Sequence, residues 1–105
     1  MYQTEIVIVE VSTDQEGVST EGRTVTINGE NLTVPTSGTV NTKVASDTIY
    51  SVTVSDWPTG GDKYNTPDVT NYASLTASSS SNASRYISLI YTLRTEEVVT
   101  GYIIN

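Results

Sequence analysis

The sequence predicts an all-β protein, and three observations carry that prediction. Thr and Ser together number 31 of the 105 residues and Val 13, a profile that suits strands and turns rather than helices. No segment shows a 3.6-residue apolar period. Alternating runs bounded by turn residues recur roughly every 8–12 residues, the spacing of a sandwich or small barrel of about seven short antiparallel strands. A chain of 11.3 kDa is enough for one core, so residues 1–105 are read as a single domain.

The first strand is expected over residues 5–11, Glu-Ile-Val-Ile-Val-Glu-Val, with apolar residues on both parities. Such a strand is covered on both faces or lies at a subunit contact. Ile6 and Ile8 are assigned to the core, leaving Val7 and Val9 on the contact face. Residues 12–22 are polar and read as a loop. Thr24-Val25-Thr26-Ile27 then alternates, Asn28-Gly29 supplies a turn tolerant of positive φ, and Leu32-Thr33-Val34 alternates again. Asn-Gly between alternating runs is the strongest short-range hairpin signal, although Glu30 and Asn31 leave its register open. Pro35 stops the second strand. Residues 39–44 make a weak edge strand. Residues 48–55 place Tyr50, Val52 and Val54 on one face and Ser51, Thr53 and Ser55 on the other.

Asp56-Trp57-Pro58 ends that strand, and residues 59–68 are the longest irregular stretch. Residues 71–77 are a strand candidate, and Ser78 to Ser81 form a low-complexity tip. Residues 84–93 carry Ile87, Leu89, Tyr91 and Leu93 on one face, and residues 98–104 make a final strand. The expected core is Ile6, Ile8, Val25, Ile27, Leu32, Val34, Tyr50, Val52, Val54, Leu75, Ile87, Leu89, Tyr91, Leu93, Val99 and Ile103.

The composition excludes much chemistry. With 12 acidic against 5 basic residues, a net charge of -7 argues against a phosphate-tracking nucleic-acid binder. No Cys and no His are present, so zinc sites of the usual donors, thiol chemistry and His-dependent triads are excluded. Nothing approaches an 18-residue apolar run, so no membrane insertion is expected. The start of the sequence has neither a basic region nor a long enough apolar run for a signal peptide. A Thr/Ser-rich, Cys-free, acidic β-protein nonetheless suits an extracellular or virion surface.

One stretch goes beyond periodicity. Thr24-Val25-Thr26-Ile27-Asn28-Gly29, then Thr36-Ser37-Gly38-Thr39-Val40, then Asp47-Thr48-Ile49-Tyr50-Ser51-Val52-Thr53-Val54 resembles carboxypeptidase-regulatory-like, PEGA-type and collagen-adhesin B-type repeats. The resemblance covers residues 22–57. It departs from the pattern where Thr48 replaces a glycine and Trp57-Pro58-Thr59-Gly60-Gly61 replaces an aromatic-Gly-Tyr ending. It implies an immunoglobulin-like or prealbumin-like β-sandwich acting as a spacer, stalk or adhesion module.

Candidate sites are few. Trp57, with Tyr64 and Tyr72 downstream, fits either a loop platform on which sugar rings stack or the apolar plug of the sandwich's end, and the second use is the commoner. Asp56, Asp62 and Asp68 surround a glycine pair at six-residue spacing. Calcium takes such oxygen-rich loops, yet no EF-hand pattern is present and solvated loop acids are far commoner. No carboxylate pair sits in an apolar setting, so no enzyme and no cofactor are expected. Both apolar parities of residues 6–11 and 98–104 point to assembly through Val7, Val9, Val98, Tyr102 and Ile104, since an open apolar edge aggregates unless covered. The resulting expectation is a non-enzymatic structural or interaction module of an exposed surface, either a virion or particle component or a bacterial surface-protein domain. Its partners would be protein subunits of a larger assembly or neighbouring domains. The alternative is a carbohydrate-binding module that takes glycans on its loop aromatics.

Overall fold

The computed structural model describes residues 3–58 and 63–94. These form β1 (Thr4–Thr13), β2 (Thr24–Ile27), β3 (Glu30–Thr33), β4 (Thr39–Ala45), β5 (Ile49–Tyr50), β6 (Val52–Val54), β7 (Tyr64–Asn65), a 3-10 turn (Thr70–Tyr72), β8 (Leu75–Thr76) and β9 (Ser84–Leu93). The fold is all-β, with no α-helix among the described residues. One sheet has the order β4-β1-β9-β7, a second β3-β2-β6, and β5 pairs with β8.

The expectation of antiparallel strands throughout is corrected by the largest sheet, which is mixed. β1 pairs antiparallel with β4, Val9 opposite Val40, but parallel with β9, Ile6 opposite Ser84 through Thr13 opposite Tyr91. Parallel partners need a long crossover. Here the crossover is everything between β1 and β9, so no local signal could announce it.

The parity of β1 is also reversed. Glu5, Val7, Val9 and Val11 point inward and are buried, whereas Ile6 is 38% exposed and Ile8 half-buried. The assignment of Ile6 and Ile8 to the core therefore fails, and Val7 and Val9, placed at a subunit contact, are fully buried within their own fold. A one-residue choice moves every side chain of a strand to the other face. Positions 6–9 are apolar on both parities, and the difference comes at positions 10 and 11: inward Val11 extends the β-branched row, while Glu10 stays in solvent.

The hairpin forms as its turn chemistry dictates. Asn28 and Gly29 take φ of 53° and 79°, giving a two-residue turn with Ile27 opposite Glu30 and Thr24 opposite Thr33. Glu30 and Asn31 belong to β3 rather than to the turn. The stretch expected as one strand over 48–55 divides at Ser51, whose carbonyl accepts from Asn28 N–H at 3.1 Å. Its first part, β5, joins β8, and its second, β6, joins β2. Within 71–77 only Leu75 and Thr76 form a strand, while Asn71 and Tyr72 belong to the 3-10 turn and Ala73 and Ser74 bend out of it.

One apolar cluster joins the layers. Val7, Val9, Val11, Ile87, Leu89 and Tyr91 of β1 and β9 meet Val25, Ile27 and Val52 of β2 and β6. Each such side chain, fully buried, contributes roughly 1.5–3 kcal/mol relative to an exposed one. Of the expected core, Val25, Ile27, Val34, Tyr50, Val52, Ile87, Leu89 and Tyr91 are buried, and Leu32, Val54, Leu75 and Leu93 pack against its margin. Val99 and Ile103 lie outside the described residues. Val40, Val44, Tyr64 and Ala77 complete the core without having been expected there. Loop 14–23 is pinned by Thr20, whose buried hydroxyl donates to the Val11 carbonyl at 2.8 Å. Beside it Gly38, at φ +82°, approaches so closely that an added Cβ would lie 3.1 Å from that carbonyl oxygen.

Candidate functional site

The aromatic cluster at one end of the core joins β7, β9 and the segment after β6. Trp57 and Tyr64 have ring centroids 4.4 Å apart, and Trp57 meets Tyr91 edge-on at 5.2 Å. The Arg23 guanidinium stands over the indole at 5.5 Å, a cation–π distance. Tyr64 is 2% exposed and Trp57 partly buried against the core. Tyr91 donates its hydroxyl to the Ser55 carbonyl, and burial raises its pKa above the ordinary tyrosine value. Tyr72, partly buried in the 3-10 turn, is not in ring contact with either residue. The structure thus brings Trp57 and Tyr64 together as an apolar plug, with one indole face occupied by Arg23, and leaves Tyr72 apart.

The loop acids serve their own loops. Asp56 accepts from the Thr66 hydroxyl at 2.6 Å. Asp68 accepts from Thr70 N–H and hydroxyl at 2.9 and 2.6 Å, and those bonds hold its carboxyl below the ordinary range. Asp62 lies outside the described residues. Among the described residues no three acids are grouped to hold a metal ion.

A buried polar cluster was missed by sequence reasoning. Glu5, 3% exposed, accepts at one carboxylate oxygen from Tyr50 hydroxyl at 3.1 Å and Arg85 Nε at 3.4 Å. Arg85 also donates to the Thr76 carbonyl at 3.3 Å. Three side chains and one backbone group therefore tie β1, β5, β8 and β9 together, and burial with the nearby Glu5 charge raises the Tyr50 pKa. The available signal was the parity of Glu5 with Val7, Val9 and Val11, which makes it an inward acid in need of a donor. With its carboxylate committed to two donors, the cluster works as a latch between strands.

The remaining feature is the outer face of the β4-β1-β9 layer. Ile6 and Ile8 of β1 share this face with Tyr86 and Ile90 of β9, which are 64% and 46% exposed, and the Glu10–Ser88 pair separates Ile8 and Tyr86 from Ile90, which stands opposite Ser12. Ile8 is directly opposite Tyr86. Glu10 accepts from the Tyr86 hydroxyl at 2.8 Å, which orients the ring and raises its pKa, and Lys43 of β4 flanks Ile6. Among the described residues no layer covers this face, which sets Ile6, Ile8, Tyr86 and Ile90 among polar neighbours. Val7 and Val9, expected at an assembly contact, are buried in the core, and the β1 residues on this face are Ile6 and Ile8. Val98, Tyr102 and Ile104, the other expected assembly residues, lie outside the described residues.

No protein-family model matches the chain. A search of curated proteins finds no relative.

Proposed function

We propose that this chain is a non-enzymatic structural or interaction module, an immunoglobulin-like or prealbumin-like β-sandwich that works on an exposed surface by contacting other protein subunits. The single observation that carries this reading is the outer face holding Ile6, Ile8, Tyr86 and Ile90. The core shared between the two larger sheets supports the sandwich. Glu5, the buried acid best placed for chemistry, is already paired, which favours a binding role over catalysis. An acidic, Thr/Ser-rich exterior suits a virion or particle component or a bacterial surface protein.

The test is sedimentation of the full chain across a wide concentration range beside the double variant Ile6→Ser/Ile90→Ser. The parent should associate, and the variant should sediment as a single chain with an unchanged melting temperature. A parent that stays monomeric and gains no solubility from the two substitutions would remove the reason for reading this face as a contact. The glycan reading is separated by an array screen with Trp57→Ala: binding lost in that variant would revive it.

A further inference from the structure

Among the described residues, the edge of β9 that faces away from β1 has little cover. Pairing with β1 runs from Ser84 to Tyr91, and β7 takes the opposite edge only at Thr92 and Leu93. Among the described residues no strand pairs with that opposite edge over residues 84–91. The hydrogen bonds show which peptide groups face it. Ile6 N–H donates to the Ala83 carbonyl and Asp14 N–H to the Tyr91 carbonyl, so the odd-numbered groups of this strand point at β1. By strand alternation those of Tyr86, Ser88 and Ile90 point the other way. Arg94, of the same even parity, donates its N–H to the Lys63 carbonyl beside β7. The side chains at 86, 88 and 90 are exposed and uncharged, without the lysine, proline or bulge that natural edges use to repel another strand.

We propose that this edge is a strand-acceptor site, and that its occupant is residues 98–104 of a second copy of this chain. The proposal rests on the interaction-module reading and names its partner. The segment reads Val-Val-Thr-Gly-Tyr-Ile-Ile, apolar on both parities. A strand added beside β9 has one face continuing the inner row of Ile87 and Leu89 and the other lying beside exposed Tyr86 and Ile90. Both faces there are apolar, as the segment requires. Antiparallel addition also brings Glu96 and Glu97 to the end of β9 where Arg94 and Lys63 stand.

A second copy suits the edge better than the chain's own segment. From Arg94 to Val98 the chain reaches about 14 Å at full stretch. The way back to its own Ile90 covers a similar distance along the strand, and β7 stands in that path at Thr92 and Leu93. A segment from another copy meets no such obstacle. Main-chain hydrogen bonds supply the affinity and alternate side chains set the register, as in other strand additions. Reciprocal exchange closes a dimer, and one-way exchange builds a chain of copies.

Two proline variants of the full-length chain test this by sedimentation. Ser88→Pro removes an N–H aimed at the open edge and leaves the β1 ladder whole, a position an edge strand tolerates. Tyr102→Pro disables the donor segment. Each alone should sediment as a single chain, while Ser88→Ala associates like the parent. An equimolar mixture of the two should regain a one-to-one pair, because one supplies an intact donor and the other an intact acceptor. If far-UV circular dichroism shows Ser88→Pro unfolded, Tyr102→Pro still decides: it must dissociate the parent. Association unchanged in Tyr102→Pro, or a mixture of folded variants that stays monomeric, overturns the proposal. A parent dissociated by Ile6→Ser/Ile90→Ser but not by either proline keeps the contact face and ends the strand-acceptor site.

Discussion

The β2–β3 hairpin and the β1–β9 ribbon belong to one small fold, yet they are specified in opposite ways. The hairpin is written locally. Asn28 and Gly29 accept the positive φ that its turn needs, and alternation on either side sets Val25 and Ile27 inward. The ribbon is written by distant parts of the chain. Its strands pair in parallel across an interval of some seventy residues, and β1 has apolar residues on both parities, so its own run does not name its partner and marks its facing only through Glu10 and Val11. The difference teaches that turn chemistry fixes register where the partner is next in sequence. Elsewhere the polar residues of the strand must be used as markers, Glu10 for the outer face and Glu5 for an inner latch.

The comparison breaks most visibly at β1. Val9→Asp places an unpaired charge at a fully buried position, which costs enough to unfold a domain whose whole stability is about 5–15 kcal/mol. Ile8→Asp, one residue away on the outer parity, should leave a folded protein by far-UV circular dichroism. Equal damage from both would mean that the facing of β1 is wrong.

Glu5→Ala comes next. It strands the Tyr50 hydroxyl and the half-exposed Arg85, and should cost about 1–3 kcal/mol in urea unfolding, with Glu5→Gln recovering part of the loss by still accepting one bond. No change in either variant would show that the latch is idle. In the hairpin, Gly29→Ala forces a side chain into φ 79° and should cost about 1–2 kcal/mol without altering the strands.

The smallest effect is electrostatic. Burial and Glu5 raise the Tyr50 pKa, burial raises that of Tyr91, and the Glu10 bond raises that of Tyr86. The folded state therefore holds these protons at a pH where the unfolded chain has begun to release them. Their contribution to stability is full below the unfolded tyrosine value near 10 and is lost as pH rises through the folded values. Ultraviolet titration of the native protein should show these tyrosines ionising late, and Tyr50→Phe should remove one of the late components. Ionisation of all tyrosines together near pH 10 would contradict the assigned hydrogen bonds.

How much was legible follows the same division. The all-β class, the hairpin, the inner row of β9 and the apolar face of Tyr50 and Val52 follow from alternation and turn residues alone. The parity of β1 was not legible from positions 6–9, because Ile6 and Ile8 are as hydrophobic as Val7 and Val9, and only Glu10 and Val11 separate the two faces. The break at Ser51 depends on two different sheets claiming the halves of one alternating run. At the candidate sites, Trp57 and Tyr64 were expected together and are, but facing each other within the core's end. Val7 and Val9 were expected on an outer face of β1 and are buried, whereas Ile6 and Ile8 lie on the outer parity.

Residue-resolved amide hydrogen exchange along β9 tests the central claim, that this strand is paired with β1 on one edge and open to another copy on the other. In dilute protein Ile87, Leu89 and Tyr91 should be protected by β1 while Tyr86, Ser88 and Ile90 exchange fast, and raising the protein concentration should slow that second set alone. Uniform protection of all six amides at every concentration, or fast exchange at Ile87 and Leu89, would contradict it.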